Sequence, residues 1–255
     1  MNVLWVFAHP EPRSLNGALR DDGLRTLREL GHAVRESDLY AMKWNPVVDA
    51  ADFGGEAGDE RLVVGATSAR AHARGELSPD IVAEQEKLDW ADAVVVQFPL
   101  WWYGLPAILK GWFDRVFVKG FGYGVRAEDG RTLRYGEGRL AGKRAMVVLT
   151  AGAREPAMGP RGVNGALAEV LFPLHHGTLF YAGMSVLRPF PVYGADRLPA
   201  EQFAEAREQL RERLRTLETA SPIPFRTQNG GDYDEDLVLR PDHAPGATGL
   251  GVHVD

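Results

Sequence analysis

The sequence predicts an α/β chain: a doubly wound, five-stranded parallel sheet with helices on both faces, followed by an irregular C-terminal tail. Two observations predict it. Apolar runs of strand length alternate about five times with stretches of helical periodicity. The runs are also continuous rather than alternating, as Val94, Val95 and Val96 show, so a strand built from them is covered on both faces.

In chain order, Val3 to Ala8 is the first apolar run, ended by His9, Pro10, Glu11 and Pro12. Ser14 then precedes a helical pattern with Leu15, Leu19, Leu27 and Leu30 near one face, closed by Gly31. Ala33 to Leu39 reads as a second strand, and Tyr40 to Gly75 as a long connection with a short helix or two. Ser78-Pro79-Asp80 is a helix start, with a capping serine, proline in the first turn and an early acid. Ile81, Gln85 and Leu88 carry that helix to the third strand, Ala93 to Phe98. Ile108, Leu109, Trp112, Phe113, Val116 and Phe117 follow helical spacing after it. Lys119 to Leu140 reads as an excursion with a hairpin, and Ala145 to Thr150 as the fourth strand. A loop from Ala151 to Gly165 leads to a helix ending near His176. Ser185 to Leu187 begins a fifth strand, and Pro199 starts a last helix with Phe203, Leu210, Leu214 and Leu217 on one side. Residues 1–218 thus form one domain and 219–255 a tail.

The bulk properties exclude several classes. A formal charge of -6 argues against a nucleic-acid surface or a polybasic membrane anchor. The chain has no cysteine, so it has no disulfide, thiolate metal site or cysteine nucleophile. The start MNVLWVFAHP lacks the features of a secretory signal, and no stretch approaches the ~20 apolar residues of a membrane span. A cytoplasmic protein that does not insert into membranes is the expectation.

In a sheet of this kind, ligands bind beyond the carboxyl ends of the strands. Three loops meet there: HPEPRSLN after the first strand, PLWWYG after the third and TAGAREPAMGPRGVNG after the fourth. The first ends at a helix N-terminus, whose free N–H groups with Ser14, Asn16, His9 and Arg13 make an anion site. Ser14 serves there either as a plain helix cap, the commoner role, or as a phosphate donor. The second loop places Leu100, Trp101, Trp102 and Tyr103 together, as core or as walls for a flat ring; flanking Pro99, Gly104 and Pro106 favour a loop. The third loop begins Thr150, Ala151, Gly152 and Ala153, small enough for backbone to approach a ligand and for its N–H groups to stabilise negative charge. No GxGxxG or GxxxxGK[ST] occurs. A phosphate cradle, an aromatic wall and backbone donors read together as a flavin nucleotide site.

The segments AHPEPRSLNGAL, ESDLYAMKWNPVVD, LSPDIVAEQ, QFPLWWYGLPAILKGWFDRVF, TAG, GVNG and HGTL carry a resemblance to the NAD(P)H:quinone oxidoreductases, which have a flavodoxin-like fold. The resemblance implies FAD as cofactor (FMN less so), NAD(P)H as co-substrate, a homodimer whose subunits share each site, and ping-pong hydride transfer to quinones. It implies that His9, Leu15 and Asn16 meet the pyrophosphate and ribityl chain. Leu100, Trp101, Trp102 and Tyr103 flank the flavin, and the amides of Thr150, Ala151, Gly152 and Ala153 meet its pyrimidine edge. Tyr123 and Val125 are the substrate-side pair supplied by the partner subunit. Trp102, Tyr103, Gly152, Asn164 and Tyr123 are therefore the candidate catalytic residues.

The sequence departs from that family at two positions that manage charge on the reduced ring. Met158 stands in place of a tyrosine and cannot donate a hydrogen bond; Asn164 can donate but cannot take a full proton. GVNG resembles the branch that prefers dihydronicotinamide riboside. That branch also has a cysteine–histidine metal site, of which only His176 remains, with Phe180 at the second histidine, so no metal is expected. The tail reads either as partly ordered or as an arm packed on the dimer partner through Phe225, Tyr233 and Leu237 to Leu239. Two rival functions use the same cofactor site: a regulatory subunit of a potassium-efflux system, as in some relatives, and a one-electron shuttle, which the long aromatic loop disfavours.

Overall fold

The computed structural model describes residues 1–54 and 61–255. Its sheet is parallel throughout, in the order β2-β1-β3-β4-β5, with β6 also on β4. The strands are β1 (Asn2–Phe7), β2 (Ala33–Asp38), β3 (Ala93–Pro99), β4 (Arg144–Ala151), β5 (Ser185–Val186) and β6 (Phe190–Tyr193). Every residue of β3 is buried, as its unbroken apolar run requires.

The fifth strand is in two pieces. Arg144 pairs with Ser185 and Val148 with Phe190, so the later pairs are offset by one residue from the earlier ones. The interruption at Leu187, Arg188 and Pro189 acts as a bulge, and it includes a proline that cannot donate to the ladder. The strand therefore runs past Leu187 to Tyr193, further than the apolar pattern alone marks.

The helices are α1 (Leu15–Glu29), α2 (Val64–Arg74), α3 (Pro79–Trp90), α4 (Ala107–Val116), the short α5 (Leu167–Val170) and α6 (Phe172–Leu174), and α7 (Ala200–Arg215). α1 and α7 cover one face, packing Leu19, Leu27, Leu210 and Leu214 on Val3, Trp5, Val95 and Met146. α3, α4 and the segment from Leu167 to Phe180 cover the other, over Leu4, Val94 and Val147. Leu30 is not on the buried face of α1: it is the helix C-cap and is exposed. The helix after β4 continues beyond His176, as a π-helical turn from His175 to Phe180. Tyr40 to Gly75 holds a short 3-10 turn (Ala50–Phe53) and α2; residues 55–60 of that connection lie outside the described residues.

Ser78 precedes α3, but its hydroxyl does not cap the helix. It donates to Asp80 at 2.6 Å, because Asp80 and Asp52 are both drawn to the buried Arg115. Arg115 is only 3% exposed and uses its whole fork: Nε and Nη2 on Asp52, Nη1 on Asp80 and on the Asn45 carbonyl, and Nη2 again on Ser78. Burial pushes the Asp80 carboxyl up, and the hydrogen bonds from Arg115 and Ser78 more than reverse this, holding it below its ordinary value.

Lys119 to Leu140 contains the expected hairpin, with Arg126 bridged to Thr132. The tail packs first on its own chain. Ile223 donates from its backbone to Val186 at 2.7 Å, and Phe225 joins a cluster with Phe172, His176 and Phe180. Among the described residues no helix is long and apolar enough to cross a membrane, and no group of three or more acidic or histidine side chains is placed to hold a metal.

Candidate active site

The three loops leave β1, β3 and β4 at one edge because those strands are parallel neighbours. They are tied together by hydrogen bonds rather than merely adjacent. Leu100 donates from its backbone to the Thr150 carbonyl at 2.8 Å, and the Asn16 amide donates to the Thr150 hydroxyl at 2.8 Å. Beneath them, Trp5 donates to Gln97 and Gln97 to the Asn16 carbonyl, at 2.9 and 2.8 Å. This buried chain crosses β1, β3 and β4 and fixes the start of α1.

The first loop is drawn tight onto that start. A Cβ at Gly17 would lie 1.8 Å from the Pro12 carbonyl oxygen, so only glycine fits. Ser14 is the N-cap, its hydroxyl accepting from the Gly17 N–H at 3.1 Å. The N–H groups of Leu15 and Asn16 have no protein partner among the described residues and remain for an anion. His9 is anchored through Nδ1, 3.1 Å from both the backbone oxygen and nitrogen of Glu11, leaving Nε2 for a ligand. Arg13 is not a free donor. It pairs with Glu11 at 3.0 Å, and that hydrogen bond holds the Glu11 carboxyl down at about 2. Asn16 is buried, and its Oδ1 has no partner.

The second loop is a tight turn. Gly104 donates back to the Trp101 carbonyl at 3.0 Å, and the two residues between, Trp102 and Tyr103, have φ of 49° and 60°. Two successive left-handed residues make a type I′ turn, a shape that normally selects Asn-Gly. Two bulky aromatics there cost of order 1–3 kcal/mol each. The result is an indole that is 98% exposed, with Tyr103 half exposed beside it. These rings are not core. Trp101 leans over His9, ring centroids 6.2 Å apart.

The third loop presents backbone. Thr150 and Ala151 are buried, while the N–H groups of Gly152 and Ala153 have no protein partner among the described residues. Further along, Asn164 accepts a hydrogen bond from the Tyr103 hydroxyl at 2.8 Å, joining two candidate residues distant in sequence. Met158 is buried and takes no part in the polar surface.

A fourth loop, which the sequence reading missed, completes the rim. It follows β6, whose last residue Tyr193 lies beside it, and brings in Asp196 and Arg197. Gly194 donates to the Ala153 carbonyl at 2.9 Å, and the Asp196 carboxylate sits so close that a Cβ at Gly152 would be 2.7 Å from it. The signal was the continuation of the fifth strand through Phe190 and Val192 into Tyr193-Gly194, masked by the two prolines. A cavity of about 550 Å³ lies between Leu100, Trp101, Trp102, Thr150, Gly152 and Asp196. It shares Gly152 and Asp196 with a polar cavity of about 710 Å³ toward Arg197 and Gln202. It shares Leu100 with an apolar cavity of about 570 Å³ lined by Tyr103, Phe113, Phe117 and, from the same chain, Tyr123. Val125 lies in the hairpin, its carbonyl accepting from Leu133, and lines none of these cavities.

Comparison with known proteins agrees with this architecture. Residues 1–216 match the flavodoxin-like fold family. A ribosyldihydronicotinamide dehydrogenase-like protein, traD, of Penicillium crustosum is 47% identical, covering 99% of this chain and 95% of its own. The rat NAD(P)H dehydrogenase [quinone] 1 is 40% identical, over 88% of this chain and 80% of its own. The solved structure of a candidate quinone reductase from Klebsiella pneumoniae superposes with a TM-score of 0.96 at 52% identity, covering all of both chains. The chain belongs to the flavodoxin-like NAD(P)H:quinone oxidoreductase family and is an oxidoreductase, of the kind that moves hydride to quinones.

Proposed function

We propose that the chain is an FAD-dependent, two-electron quinone reductase, cytoplasmic and homodimeric, with a flavin-binding body of residues 1–218. The observation that carries this reading is the strained turn that holds Trp102 in solvent opposite the open N–H groups of Gly152 and Ala153. An exposed indole on an expensive backbone has no packing role in the folded chain. It is a wall for a flat ring.

The donor set fits a flavin nucleotide. The free N–H groups of Leu15 and Asn16 and the Nε2 of His9 suit the phosphates, and the unpartnered Oδ1 of Asn16 suits a hydroxyl of the linking chain. The polar cavity beside Arg197 leaves room for the second nucleotide half, which favours FAD over FMN. Bound FAD would accept a hydride from NAD(P)H, or a related dihydronicotinamide, and deliver it to a quinone at the same place in turn.

The chain's own residues then have definable tasks. Gly152 and Ala153 point fixed N–H dipoles where negative charge develops, so no reorganisation is needed during transfer. Asn164, with its Oδ1 held by Tyr103, keeps its amide N–H groups as donors; it orients and does not take up a proton. Met158 leaves proton supply to solvent. Leu100, Phe113 and Phe117 give the neighbouring cavity an apolar lining suited to a flat acceptor, and in the homodimer the second copy would supply its Tyr123 and Val125 to each site.

The test is a visible spectrum of the purified protein, followed by anaerobic NADH or NADPH and then a quinone such as menadione. A yellow protein that bleaches and recolours supports the reading. A colourless protein that takes up neither added FAD nor FMN, or a yellow one inert to the nicotinamides and to dihydronicotinamide riboside, overturns it. Chromatography of the extracted flavin distinguishes FAD from FMN.

A further inference from the structure

A second cavity of about 320 Å³ lies between the tail and the excursion that precedes β4, and it shares no residue with the rim cavities. Its walls are flat rings. Tyr135 and His176 have centroids 4.9 Å apart, with 31° between their planes, and Tyr233 stacks on His253 at 6.0 Å and 20°. The volume is at the low end of small-molecule sites, enough for one or two fused rings.

The backbone around this cavity is strained. Tyr135 has φ of 50° and Leu237 of 63°, and both line it. Of the six described non-glycine residues at positive φ, two form the aromatic turn of the rim and two are these. The His175–Phe180 segment that supplies His176 is π-helical, an arrangement uncommon in ordinary packing and frequent at binding sites. Strain persists where surrounding structure enforces it, and it concentrates at ligand clamps.

The charge is also unfinished. Arg226 is paired with Asp232 at 2.7 Å and with Asp255 at 3.0 Å. Arg134, on the same cavity, holds Gln228 through Nε and has no carboxylate partner among the described residues. Burial keeps His176 neutral, down at about 4, so it adds no charge at neutral pH. The Tyr135 hydroxyl makes no protein hydrogen bond among the described residues, so a donor stands near the uncompensated cation.

We propose that this cavity is a second small-molecule site, for a flat aromatic carboxylate that lies against the rings lining it and pairs with the Arg134 guanidinium. The fork of Arg134 matches a carboxylate through two parallel N–H bonds. The ring faces suit an aryl group, and a neutral aryl compound leaves the cation unpaired.

The probe is 1-naphthoate, titrated calorimetrically into the full chain as purified, with 1-naphthalenemethanol as the neutral control. Saturable binding by naphthoate and not by the alcohol is expected. Arg134→Gln should weaken it at least about tenfold and Arg134→Lys less, since lysine keeps the charge but not the fork. Trp102→Ala, which alters the rim, should leave it unchanged. Circular dichroism and melting of the Arg134 variants confirm that they fold, and their quinone reductase rate should match that of the parent. No saturable binding at millimolar naphthoate overturns the proposal, as does binding indifferent to both Arg134 changes or abolished by Trp102→Ala. A Lys variant that binds while the Gln variant does not supports it even where both melt early.

Discussion

Two polar networks in this molecule are centred on buried side chains and differently finished. Around Arg115 every donor of the guanidinium is used, and both carboxylates that face it are held. Under the rim, the chain from Trp5 through Gln97 and Asn16 to Thr150 is buried throughout, yet it ends with the Asn16 Oδ1 unpaired and with open N–H groups on the loops it ties together. The Arg115 network closes on itself, which avoids the roughly 1–3 kcal/mol that a buried polar group without a partner costs. A network that stops short at a cavity marks where a partner from outside belongs. The aromatic turn makes the same point with backbone, carrying strain and exposed rings that pure packing would have removed.

Four measurements would break or sharpen that contrast. The largest effect belongs to Arg115. Arg115→Met leaves Asp52 buried without its partner and should lower unfolding stability by about 3–5 kcal/mol in denaturant titrations. Flavin affinity of the molecules that remain folded should be unchanged; a specific loss of flavin binding would mean this network also serves the rim. Trp102→Ala should do the reverse. Flavin retention or reduction rate should fall about tenfold or more, a loss of roughly 1.4–3 kcal/mol of ring contact, while the melting temperature stays within experimental scatter. Unchanged occupancy and kinetics would remove the indole from the site.

Asn16→Ala should show both signatures, because that residue belongs to the buried chain and to the rim. About 1 kcal/mol of stability should be lost with the Thr150 bond, together with a several-fold loss of flavin affinity. A stability loss alone would make the residue purely structural. The smallest effect is acid sensitivity. Asp80 is held below its ordinary carboxyl value in the folded chain, so the unfolded chain binds the proton more readily. Its contribution is complete above the unfolded carboxylate pKa and is lost as pH falls through the lower folded value. Being partly exposed and screened, it should amount to less than about 1 kcal/mol. Melting curves from pH 5 to pH 2 should fall more steeply in the parent than in Arg115→Met by that amount, the remaining acid slope belonging to other lowered carboxylates such as Asp22.

Most of the sheet was legible because its signals are local. Val94 to Val96 announce a strand covered on both sides, Ser14 and Gly31 the two ends of a helix, and Pro99 with Gly104 and Pro106 a loop between strand and helix. Three of the four rim loops could be placed together from strand order alone. The fourth could not, since Pro189 and Pro191 interrupt the apolar pattern of the fifth strand and its pairing resumes only because β4 is there to receive it. Leu30 and Ser78 misled for a related reason. Spacing placed one on a buried face and residue type made the other a helix cap, but a C-cap position and a nearby Arg115 decided otherwise.

By itself the sequence determined the alternation of strands and helices, the loops that carry aromatics and small residues, and the absence of thiol chemistry, because periodicity, turn residues and composition are properties of neighbours along the chain. Only the tertiary structure decided that Tyr103 meets Asn164, that Arg13 is spent on Glu11, that Asp196 crowds Gly152, and that Arg134 faces a ring-lined cavity with its charge unanswered. Each of these depends on which polar groups find partners when distant segments pack, and that is settled by three-dimensional proximity rather than by any pattern a single segment can carry.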